Sequence, residues 1–129
     1  MVDARPHLDG VDITAACLAA AAGQIHADER LLILTGWRGE ISDEDYPALT
    51  RDAAEWLVAK QPALVGVDTP SVDGPTAGHA HELLLGAEVP VVELLVNLDE
   101  LIGRKFGLYA LPLAIADMDG APVRAVAIL

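Results

Sequence analysis

A layered α/β fold with a mixed sheet is predicted by three features of the sequence. Apolar residues make up 53% of the chain but aromatics only 4%, so the core must be built from Ala, Val and Leu, as in helices packed on a sheet rather than an aromatic-rich sandwich. Between residues 31 and 67 a short apolar run, an amphipathic helical pattern and a second apolar run follow one another, the order of a right-handed crossover between parallel strands. Near the C-terminus two apolar runs flank Asp119-Gly120, the mark of an antiparallel hairpin. A chain of 129 residues buries about two thirds of its unfolded surface, enough for one core, and residues 1–129 read as one domain.

The elements follow in order. Residues 1–11 hold a weak strand pattern that Pro6 and Gly10 interrupt. From Asp12, read as an N-cap, an Ala-rich helix runs to Gly23 with Ile13, Cys17, Leu18 and Ala21 on one face. Arg30 leads into LLILT, a continuous apolar run too short for a helix, which predicts a central strand covered on both faces. Residues 37–47 are charged, contain Gly39 and Pro47, and form a loop with Trp37 at the strand's exit. Thr50 opens a helix over RDAAEWLVAK, in which Ala53, Trp56, Leu57 and Lys60 recur at three and four residues, and Pro62 ends it. Strands are predicted over 63–67 and 89–93, with a short helix over 79–85 between them stopped by Gly86. Asn97 and Glu100 have capping-box spacing, and residues 106–115 and 123–129 form the two hairpin strands, closing the sheet at the C-terminus.

Charge narrows the partners. Twenty Asp and Glu against eight Lys and Arg give a net charge of −12, which repels phosphate backbones and anionic bilayers, so nucleic acid and membrane are not expected as partners. The first ten residues carry two acids and no apolar signal core, and no apolar run approaches the length of a membrane span. Cys17, the one cysteine, reads as a small buried apolar residue of a reducing, cytoplasmic setting.

Candidate chemistry concentrates in the stretch VGVDTPSVDGPTAGHAHELLLGAEVPVVE, residues 65–93. His81 and Glu93 are twelve apart with one helix and one turn between them, which allows the chain to return and bring imidazole and carboxylate together as metal ligands or as base and orienting acid. Against this, a histidine at the start of a helix also serves as a polar cap, and Glu93 is equally a strand-end surface residue. Asp68 lies at the carboxyl end of a parallel strand, where open α/β sheets form ligand crevices, and it is also the kind of residue that binds loop amides. Asp73 reads as a turn residue of that second kind. Trp37 is either core or pocket wall. His79 would diverge from His81 on a helix, and His7 and His26 lie in polar surroundings.

The runs LLILTGW, YPALTRDAAEWL, LVGVDTPSVD, HELLLGAEVPVVE, NLDEL and FGLYALPLAIADMDGAPVRAVAIL together resemble the C-terminal half of the cyclase family of metal-dependent hydrolases, which includes bacterial kynurenine formamidase and isatin hydrolase. The resemblance runs from about Ile13 to the last residue. It implies a swivelling β/β/α domain, truncated at the N-terminal half, and a zinc- or manganese-dependent hydrolysis of a small amide, either an aryl formamide or a cyclic amide. By the same resemblance His81 is a metal ligand and candidate catalytic proton carrier, Glu93 a metal ligand, and Asp68, in the family's loop signature, a residue that shapes the site; Asp68 and, from its place at the strand exit, Trp37 are the candidate substrate-binding residues. Leu94 departs from the family, in which Asn commonly follows the glutamate. The family's first metal motif, His-x-Gly-Thr-His-x-Asp-x-Pro-x-His, is not in this sequence. Two expectations follow. The chain is an amide hydrolase that takes further ligands from a partner chain or another copy in a homo-oligomer, or it is a non-catalytic binding or oligomerisation module on the same fold.

Overall fold

The computed structural model describes residues 1–8, 12–74 and 78–129. At its centre lies a parallel sheet of four strands, β1 (Val2–Asp3), β3 (Arg30–Leu34), β5 (Leu64–Val67) and β6 (Val91–Val92), side by side in that order. The pairing register sets Leu31 against Val65 and Ile33 against Val67, and on the other side Val65 against Val91. β3 is flanked on both edges, and all four of its residues from Leu31 to Leu34 are buried, which is why its sequence shows no polar alternation.

Alternate residues of β3 serve two different cores. Leu31 and Ile33 face helices α1 (Ala15–Ala21), α2 (Arg51–Lys60) and α3 (Ala80–Gly86), where Cys17, Leu18, Leu57 and Leu84 pack on them with Val65 and Val67. Leu32 and Leu34 face the other way, toward Leu95 and the 3-10 turn Leu98–Leu101. They are covered there by an antiparallel hairpin, β7 (Gly107–Pro112) and β8 (Val123–Ile128), through Leu108, Ala125 and Ala127. Successive parallel strands are laid down in one direction across the sheet, so right-handed crossovers put all three helices on one face and leave the other for the hairpin. The layers are helix, parallel sheet and hairpin, the β/β/α order expected. Among the described residues no helix is long and apolar enough to cross a membrane.

Several local expectations change. Parallel and antiparallel strands are both present, but the hairpin is a layer of its own, so the C-terminal strand does not join the central sheet. The antiparallel hairpin around Asp119-Gly120 is present, with its first strand ending at Pro112 rather than 115, so that residues 113–122 form the connection. The first helix starts after Asp12, because Asp12–Ile13 is a short strand, β2, paired in parallel with β4 (Ala48–Leu49). Thr14 is the N-cap instead, its Oγ1 accepting the Cys17 amide at 3.1 Å, and the helix ends at Ala21, ahead of Gly23. Helix α2 has the bounds read for it, with Ala53 and Leu57 buried and Trp56 partly packed on the same core, but Lys60 is exposed, its Nζ 5.2 Å from the centre of the Trp56 ring. The Thr50 hydroxyl donates to the Ile13 carbonyl at 3.1 Å rather than capping its own helix. Asn97 is left-handed and its side chain caps nothing. The break read at Gly10 and the middle of the 65–93 stretch, residues 75–77, lie outside the described residues.

Candidate functional site

The site forms where β5 and β6 end together. Gly66 pairs with Val92, so Glu93 leaves β6 level with Val67, and the chain then follows the exit of β5 through bonds from the Leu94 amide to the Thr69 carbonyl and from the Leu95 amide to that of Val67, each 3.0 Å. Helix α3 returns toward this edge with His81 in its first turn. Imidazole and carboxylate meet: His81 Nε2 is 3.2 Å from Glu93 Oε1. Both are partly open to solvent, with side-chain exposures of 37% and 28%. They border a groove of about 610 Å³ whose walls include Leu85 and Val91 on one side and residues 119–123 of the hairpin loop on the other.

Each member of the pair is held from behind. Glu93 Oε1 accepts the Val72 amide at 2.8 Å. The His81 Nδ1 lies 2.7 Å from Asp73 Oδ2. Asp73 also accepts the amides of Ala80 and His79 on Oδ1, at 2.6 and 2.9 Å, and so caps α3. Its role as an amide-binding turn residue is therefore present, but its bond to the imidazole was not read from the sequence. The available signal was capping: His79 stands at the N-cap of α3 with no capping side chain, so an acid in the preceding loop has to serve those amides. Burial pushes the Asp73 carboxyl up, but the hydrogen bonds from His81 and from the amides of Ala80 and His81 outweigh it and hold the carboxyl below its usual range.

Asp68 and Trp37 are placed apart from this groove. Asp68 is 5% exposed, and its carboxylate accepts the Thr35 amide at 3.0 Å, the Thr35 hydroxyl at 2.8 Å and the Gly36 amide at 2.9 Å. These bonds tie the exit of β3 to that of β5, around a glycine whose φ of 78° suits a residue without Cβ. Trp37, half buried, lines a second concavity with Asp68, Asn97 and Asp99, and Leu94 borders both hollows. His79 points to Glu82, not to His81, and His7 and His26 are exposed. Among the described residues no three His, Cys, Asp or Glu side chains stand ready to share a metal ion. His81 and Glu93 offer two donors, one nitrogen and one oxygen.

The Cyclase family model matches residues 1–74, more than half of the chain. The chain belongs to the cyclase family. The match starts at the first residue, earlier than the resemblance at Ile13, and it stops short of His81 and Glu93. Among curated relatives, the kynurenine formamidase of Bordetella avium (strain 197N) is 36% identical over 102 residues, covering 76% of this chain and 48% of that protein. The chain thus spans about half the length of the curated relatives it matches. Isatin hydrolase A from Labrenzia aggregata, solved with benzyl benzoate, superposes with a TM-score of 0.82 at 26% identity over 98% of this chain and 58% of that one. A solved potential metal-dependent hydrolase with cyclase activity gives 0.74 at 26% identity, over 97% and 61%. The cyclase fold is therefore shared across all three layers.

Proposed function

We propose that this chain supplies one side of the active site of a metal-dependent amide hydrolase acting on a small aryl formamide or cyclic amide. The observation that carries the reading is the convergence of His81 Nε2 and Glu93 Oε1, 3.2 Å apart at the mouth of an open groove. The names of the relatives, a formamidase and an isatin hydrolase, supply the substrate class. The donor set suits zinc or manganese, which take imidazole nitrogen and carboxylate oxygen, but it fills only part of a coordination shell that needs at least three protein ligands. The remaining ligands lie outside these residues, and in this reading a partner chain or another copy brings them to the groove. His81 and Glu93 would hold part of the shell of a divalent ion, which when bound would supply a water of lowered pKa and polarisation of the amide carbonyl.

The chain's own residues divide the remaining work. Nε2 is the ring nitrogen on the Glu93 side, so His81 would either hold the ion or carry a proton to the leaving nitrogen through that one atom; while Nε2 holds the ion, the proton passes through a nearby group instead. Glu93 contributes the carboxylate, kept in place by the Val72 amide. Leu85, Val91 and Pro122 give the groove apolar walls for the flat part of a substrate, and Trp37 walls the neighbouring hollow. Asp68 acts as scaffold for the Trp37 turn through Thr35 and Gly36.

The test is hydrolysis of an aryl formamide by the chain alone and after mixing with a polypeptide carrying the His-x-Gly-Thr-His-x-Asp half of the family. The expected result is turnover only in the mixture, supported by added zinc or manganese and abolished by Glu93→Ala. A second reading, a non-catalytic interaction module, is favoured by the outer face of the hairpin, where Tyr109, Leu111, Val126 and Ile128 are all exposed. A mixture that forms a complex and turns over nothing with either metal would decide for that module.

A further inference from the structure

Consecutive residues of one loop grip both members of the pair. The Val72 amide holds Glu93, and the Asp73 carboxylate holds His81. The loop itself is fixed: the Val72 side chain is fully buried in the helix-side core, the Asp73 amide donates to Ser71 Oγ at 3.1 Å, and the Tyr46 hydroxyl donates to the Asp73 carbonyl at 2.9 Å. The Asp73 carboxylate cannot swing away, because Oδ1 is held by the Ala80 and His79 amides while Oδ2 meets the ring. Position and orientation of His81 are thus set at both ends, by its helix and by its ring.

We propose that Asp73 is a positioning residue that keeps the proton of neutral His81 on Nδ1 and so presents the bare Nε2 to the groove. A carboxylate only accepts hydrogen bonds, so at 2.7 Å the proton between Asp73 and the ring belongs to Nδ1. The ring has a carboxylate at each nitrogen, Asp73 Oδ2 at 2.7 Å from Nδ1 and Glu93 Oε1 at 3.2 Å from Nε2, and the proton goes to the shorter contact; in the other tautomer Nδ1 would set its lone pair against Oδ2, and Nε2 would carry the hydrogen toward Glu93 and be closed to a metal. The inference rests on the metal-site reading for its purpose, but the tautomer is a property of the metal-free chain.

Asp73→Asn separates positioning from capping. Asn caps helices about as well as Asp, so its oxygen stays on the Ala80 and His79 amides and its NH2 replaces Oδ2 opposite Nδ1. That group donates, which inverts the preference of the ring. Nitrogen-15 spectra of the imidazole at about pH 8, above the usual histidine range, read this directly in the full chain without metal. The expected result is Nδ1–H in the wild type and Nε2–H in the variant, with a nearly unchanged thermal midpoint and a zinc affinity lowered about 10- to 100-fold. Wild-type His81 as the Nε2–H tautomer, or a variant with the wild-type pattern, overturns the proposal. If Asp73→Asn does not fold, the wild-type spectrum alone decides. Should the wild type bind no zinc, the metal reading fails while the spectra still judge Asp73.

Discussion

Leu94, directly after Glu93, adopts a left-handed backbone with φ of 55° while 39% exposed. For a residue with a bulky Cβ this conformation costs about 1–2 kcal/mol, and Asn is the non-glycine side chain that tolerates it best. The family's preference for Asn after the glutamate thus has a backbone reason at this position. Leu94→Asn is expected to raise stability by about 0.5–1 kcal/mol, measured by urea unfolding; an unchanged or lower midpoint would show that apolar contacts of Leu94 outweigh the strain. At this scale the sequence revealed the pair and not its support. His81 and Glu93 were legible because one helix and one turn fit between them. Asp73 was not, because spacing does not say which way a ring points, and the bond to Nδ1 exists only once α3 is docked. For Asp68 the place at a strand end left a crevice role and an amide-binding role open; three donors from β3's exit occupy its carboxylate, and it also lines the hollow beside Trp37.

Elements with strong local signals kept their bounds. Helix α2 begins after Thr50 and ends at Lys60, two residues ahead of Pro62, as composition alone required. The start of α1 moved because Asp12 and Ile13 are claimed by β4, a partner more than thirty residues away that no local pattern reveals. The hairpin strands were legible for a similar local reason, but not their layer: alternation along β8 is the same whether it extends the sheet or lies across it. The packing of the segment after Glu93 onto the sheet depends on Gly66. A Cβ there would come within 2.7 Å of both Leu32 Cδ2 and Leu95 Cδ1, where the segment after Glu93 crosses β5. Gly66→Ala is expected to destabilise the protein by about 1–3 kcal/mol, measured by thermal and urea unfolding, and a neutral effect would mean that the two leucines repack freely.

For the molecule as a whole, three layers converge on one groove: the parallel sheet delivers Glu93, the helix layer delivers His81, and the hairpin loop closes the far wall with residues 119–123. A net charge of −12 surrounds this site, so a bound cation has favourable long-range electrostatics even where its local ligands are incomplete. The sequence conveyed the fold class and the pair, since both follow from local patterns and return distances. It could not convey the layer order of the hairpin or the direction of side chains, which are set by tertiary packing. The central claim is that His81 and Glu93 together form part of a metal site. Zinc titration of the chain against a competing chelator tests it most directly, alongside His81→Ala and Glu93→Ala. The expected result is one equivalent bound weakly by the wild type and none by either variant, with all three equally folded. A wild type that binds no zinc, or binding that persists in both variants, would contradict it.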